Sequence, residues 1–85
     1  MNYDLMDLKE IETALKIKPV DKNRLQHFHT YEHDDLDNWE EVEKLLKELK
    51  EQGRSSYHCT VTVLGYEIIM EDYIRVYYRT HISNS

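Results

Sequence analysis

The spacing of hydrophobic residues changes near residue 56. Before that point they recur every three or four positions, and after it they alternate. Leu5, Leu8, Ile11 and Leu15, with Ala14 beside them, predict an amphipathic helix over 4–17. Asp4 or Asn2 can cap its start, Glu12 and Lys16 stand four apart as an ion pair, and Pro19 ends it. Asp21 can cap a short helix carrying Leu25 and Phe28. Residues 29–36 keep no period and read as a loop. Trp39, Val42, Leu45, Leu46 and Leu49 form one stripe and predict a helix over 38–52. Asp37 at its N-cap, followed by Glu40, suggests a capping box, and Gly53 suits the position just past its end.

From residue 56 the alternation predicts strands. Cys59, Val61, Val63, Ile68, Met70, Ile74, Val76, Tyr78 and Ile82 form an inward face, and Tyr73, Arg75, Tyr77, Arg79 and His81 an outward row. A strand over 56–64, a Gly65-Tyr66 hairpin turn and a second strand over 67–71 would set Val63 against Ile68 and Val61 against Met70. A three-residue turn near Glu71-Asp72 would start a third strand; one long bent strand over 66–82 buries the same residues. Strands after helices imply an α+β fold: two or three helices packed on one face of a small antiparallel meander of two or three strands.

Composition adds limits. Eighty-five residues suit a single domain spanning 1–85, with 40% hydrophobic residues for one core. One cysteine allows no intramolecular disulfide, and no apolar run approaches the ~20 residues of a membrane span, so a cytoplasmic protein without membrane contact is expected. The net charge of −6 is concentrated. Residues 25–43 carry Glu32, Asp34, Asp35, Asp37, Glu40, Glu41 and Glu43 and no Lys or Arg, while the other stretches nearly balance. Such acidity disfavours direct nucleic-acid binding and fits a protein partner with a basic surface.

Four patterns bear on chemistry. His27, His29 and His33 with Asp34 and Asp35 are metal-ligand types at unusual density, although a polar surface loop is the favoured account of them. The run superficially resembles the HxHxDH motif of metallo-β-lactamases, but its spacing departs and the chain is far shorter than that fold, so no metal site is assigned. Leu8 to Leu25 resembles a helix-turn-helix in its Leu and Ile spacing, and the element order is similar to a winged helix. Glu12 and Lys16 stand where the motif wants a small residue and glycine, and the acids after Trp39 would repel phosphate.

The third pattern is Tyr73, Arg75, Tyr77 and Arg79. These residue types are enriched in protein interfaces; the arginines could instead pair with Glu67 and Glu71 across the sheet. The last strand could also be an edge, open to a second copy. The fourth is the acidic block, whose carboxylates could imitate nucleic-acid phosphates. In size, charge and lack of catalytic motifs the chain resembles small phage-encoded inhibitors of bacterial defence enzymes. No nucleophile system or Gly-rich phosphate loop stands out, so an enzyme is not expected and no cofactor is implied. The expectation is an acidic protein-binding regulator or inhibitor of a nucleic-acid-handling enzyme, contacting it through the acidic block, the Tyr–Arg row or both. A winged-helix-like DNA-binding regulator is the alternative, and a metal-binding protein using the histidines a weaker one.

Overall fold

A computed structural model describes residues 3–27, 30–55 and 59–82. Its elements are a 3-10 turn (Tyr3–Leu5), α1 (Leu8–Leu15), α2 (Lys22–Leu25), β1 (Glu32–Leu36), α3 (Trp39–Ser55), β2 (Cys59–Ile69) and β3 (Tyr73–Ile82). The strands form one antiparallel sheet in the order β1-β3-β2, so the fold is α+β as the pattern implies.

The first helix is shorter than its leucine stripe. Asp7, not Asp4 or Asn2, caps it by accepting from the Glu10 N–H at 2.8 Å. It stops when Lys16 turns left-handed (φ 56°), three residues before Pro19. Leu5 and Leu8 are therefore exposed, whereas Tyr3, Ile11 and Ile17 are buried. Asp21 caps α2 as expected, accepting from Asn23 N–H at 3.0 Å. Phe28 lies outside the described residues.

The third helix starts one residue later than the capping pattern implied. Asn38 is the cap and accepts from Glu41 N–H at 3.0 Å; the Glu41 carboxylate reaches back to the Asp37 N–H at 3.2 Å. Gly53 does not end it. The helix runs through Gly53 to Ser55. Val42, Leu45 and Leu49 pack with Ile17, Tyr66, Ile74 and Val76 in the core, and Trp39 and Leu46 border it.

The sheet departs most from the pattern. Residues 32–36, expected as loop, form the edge strand β1, pairing His33 with Tyr77 and Asp35 with Arg75. Gly65-Tyr66 is no turn; it lies inside β2, next to a bulge that inserts Leu64. Val63 therefore pairs with Tyr78, Val61 with Thr80 and Ile68 with Ile74. The bulge shifts parity once, so Val61, Val63, Tyr66 and Ile68 share one face of the sheet. The reversal is the three-residue turn Met70–Asp72, with Met70 and Glu71 at positive φ and Met70 83% exposed rather than inward. The last strand, expected as an edge, is the central one, so a second copy cannot pair with it.

Gly65 has φ +142° because another segment crosses close above it. Lys18–Val20 runs along the outer edge of β2: Tyr66 N–H donates to Lys18 O at 3.0 Å, and Val20 N–H to Tyr66 O at 2.8 Å. This strap ties the α1–α2 connection to the sheet. It lets α1 stay near α3 while α2 reaches the opposite face, against Tyr77 and Glu67.

Candidate functional site

The seven acids of the 25–43 block do not form one surface. Strand alternation puts Glu32 and Asp34 on one side of β1 and Asp35 on the other. Asp35 faces Arg75, accepting from its Nε at 2.8 Å and its Nη2 at 3.3 Å. This bond holds the Asp35 carboxyl below the usual range, and His33 Nδ1 lies 3.6 Å from it. Glu41 serves the start of α3. Glu43 accepts from the Tyr3 hydroxyl and lies 3.5 Å from Lys47 Nζ. The Tyr3 bond, before any other cause, lowers Glu43 and, together with burial, pushes Tyr3 up to about 12. With Asp34, whose carboxylate bonds to the Tyr78 side chain, four of the seven are thus engaged within the fold. Glu32, Asp37 and Glu40 are exposed and Asp34 half-buried, along the border where β1 runs into α3.

That border continues into acids from elsewhere in the chain. Asp37 and Trp39 line a hollow of about 270 Å³ with Asp4 from the N-terminal turn and Glu71 and Asp72 from the hairpin. No Lys or Arg is among its lining residues. Sequence reasoning left these three acids out because nothing in their spacing links them to residue 37. Among the described residues no three His, Cys, Asp or Glu side chains come close enough to hold a metal ion. These carboxylates are spread over a surface rather than gathered around a point.

The Tyr–Arg row is largely occupied by the protein itself. Tyr77, expected outward, is buried; Tyr31 and His33 lie against its ring, each with centroids 5.8 Å away, and α2 flanks it with Leu25. Arg75 pairs with Asp35 rather than Glu67 or Glu71, and also donates to the Tyr73 hydroxyl at 3.3 Å. Glu67 is engaged by Lys22 Nζ at 3.0 Å. Tyr73 and Arg79 are half-buried. Alternation assigned this face correctly, but α2 covers part of it.

The chain matches no family model, no curated protein and no solved structure in these comparisons. Site geometry alone therefore weighs the remaining patterns. His27 is exposed beyond α2, His33 lies against Tyr77, and His29 is outside the described residues. Leu8 to Leu25 does not build two helices joined by a tight turn. Lys16 to Asp21 carries the Lys18–Val20 strap on β2, α2 is a single turn of four residues, and β1 separates it from α3. Glu12, expected to pair with Lys16, accepts instead from the Tyr66 hydroxyl. No helix among the described residues is long and apolar enough to cross a membrane.

Proposed function

We propose that this is a small acidic protein-binding regulator of the cytoplasm that occupies the basic groove of a nucleic-acid-handling enzyme. The observation that carries the reading is the convergence of acids from three separate stretches. Asp4, Asp37, Glu71 and Asp72 meet around one hollow, and Glu40, Asp34 and Glu32 continue the negative border along α3 and β1. Alternate side chains on a strand repeat about every 6.8 Å, roughly twice the ~3.4 Å charge spacing along one DNA strand. A groove built for phosphates can therefore meet such a border in register. The compositional likeness to phage-encoded inhibitors points the same way. Tyr73, Arg75, Tyr77 and Arg79 act in this reading as the support that fixes β1, with Arg75 holding Asp35, and not as the contact.

The test is affinity capture of partners with the intact chain, repeated with Asp37, Glu40, Glu71 and Asp72 reversed to lysine. The expected result is a partner with a basic surface, lost on reversal and weakened steeply by salt. A partner retained by the reversed protein at physiological salt, or a gel shift of DNA by the chain alone, would sink the proposal. The second outcome would favour direct DNA binding.

A further inference from the structure

We infer that the outer edge of β2 over Thr60–Val63 pairs with the same edge of a second copy of this chain. β2 is 11 residues long, about twice the usual strand. Among the described residues, its outer edge is covered in one half only. The Lys18–Val20 strap bonds to Tyr66, and the Leu64 bulge closes that half. Among the described residues nothing bonds to the outer backbone of Thr60–Val63. A row of unpaired N–H and C=O groups is a template for another strand, and proteins normally guard it with charge, proline or a bulge. The uncovered half has none of these. It reads Thr60-Val61-Thr62-Val63, all residues of high strand propensity.

The two sheet edges differ in what they admit. On β1, Glu32, Asp34 and Asp35 would face the same acids of a copy, and like charges opposite each other destabilise pairing. On β2 an antiparallel copy sets only Thr and Val against Thr and Val, with no charge opposed. A twofold axis through that edge makes a closed, self-complementary contact and one six-stranded sheet. The groove beside it, about 320 Å³, is lined by Leu15, Leu46, Leu49, Val61 and Val63 together with Lys16 and Lys50, and its leucines and valines continue the contact onto the helix side. Val63 is already 38% exposed there.

The experiment is sedimentation equilibrium on the full chain over about two decades of concentration, into the high micromolar range. The expected result is a mass rising toward twice that of the monomer, with amide protection at 60–63 rising alongside. Thr62→Glu sets a carboxylate across from Arg79 within the monomer, and Thr60→Glu one across from His81, so both suit the fold. Each should weaken association at least about tenfold while circular dichroism stays unchanged. Asp34→Asn, on the other edge, should leave it intact. A protein monomeric at every concentration overturns the inference, as does a dimer indifferent to both glutamate substitutions. Should one variant unfold, the other decides.

Discussion

The chain has two glycines, and the structure assigns them opposite tolerances. At Gly65 a Cβ would stand 2.7 Å from Lys18 O and from Val20 Cα, and 2.8 Å from Val20 N. All three are backbone atoms, which cannot rotate aside, whereas ordinary non-bonded contacts lie near ~3.5–4.0 Å. The φ of +142° adds strain for any side-chain-bearing residue, about 1–3 kcal/mol. Relief requires the strap to lift, which gives up its two hydrogen bonds to Tyr66, at about 0.5–1.5 kcal/mol each. Gly65→Ala should therefore cost about 3–5 kcal/mol, a large part of the roughly 5–15 kcal/mol that holds a typical domain. At Gly53 the added Cβ meets, among the described residues, only Val61 N, at 3.8 Å, and the backbone is helical. Gly53→Ala should stabilise by about 0.4–1 kcal/mol by restricting the unfolded chain.

Urea titration followed by circular dichroism measures both changes, with the slope of each transition as a check on two-state behaviour. Thermal melts should move apart by well over ~10 °C, since each kcal/mol shifts a chain of this size by about 4–8 °C. Gly65→Ala within about 1 kcal/mol of the parent, or Gly53→Ala the more damaging of the two, would refute the strap and with it the placement of α1 and α2.

Two further predictions concern packing and pH. Trp39 borders the core edge-on to Tyr66, ring centroids 5.3 Å apart, so Trp39→Ala should cost about 2–3 kcal/mol, below the ~3–5 of a fully buried tryptophan; an unchanged urea midpoint would remove Trp39 from the core. Asp35 and Glu43 are held below the usual carboxylate range by Arg75 and Tyr3, so their contribution is present above the unfolded carboxylate pKa of about 4 and fades as pH falls through the folded values. Tyr3 is raised from 10.0 to about 12, so its contribution is complete below pH 10 and lost as pH climbs toward 12. The stability difference between parent and Tyr3→Phe should shrink across that alkaline window, and a difference independent of pH there would count against the Tyr3–Glu43 bond.

Period found α3 and the change to strands, because those elements bury a regular stripe; the signal for the one-turn α2 was its cap, Asp21. Period missed β1 for a physical reason. Only Leu36 of that strand reaches the core; His33 and Asp35 face Tyr77 and Arg75, and Glu32 and Asp34 sit at the sheet border. A strand polar on both sides carries no alternation to read. Gly65 was legible as special but not as to why: a turn glycine and a glycine under a crossing backbone look alike in one dimension. Apart from Met70, which is exposed, the predicted inward face from Val61 to Tyr78 kept its side of the sheet, because the Leu64 bulge shifted parity once and the three-residue turn at 70–72, expected near Glu71-Asp72, preserved it. Tyr77 fell on the predicted side of the sheet, but alternation cannot foresee that a short helix from residues 22–25 will cover it.

The acids of the block have a second explanation that the strand itself supplies. Charge on an edge strand prevents unwanted pairing, so Glu32, Asp34 and Asp35 would be retained on β1 with no partner at all. Asp35 has a further use in fixing Arg75, Glu41 in capping α3, and Glu43 in holding Tyr3. None of these five therefore separates a binding surface from a well-made fold. Glu71 and Asp72 can separate them. They lie in a hairpin tip, where there is no edge to guard, yet they stand around the same hollow as Asp37. Collecting like charges there is unfavourable for folding unless something outside the chain uses the field. Reversing Glu71 and Asp72 alone should accordingly raise or leave unchanged the melting temperature while it weakens capture of a basic partner. A loss of stability without any change in capture would return all of these acids to structural duty.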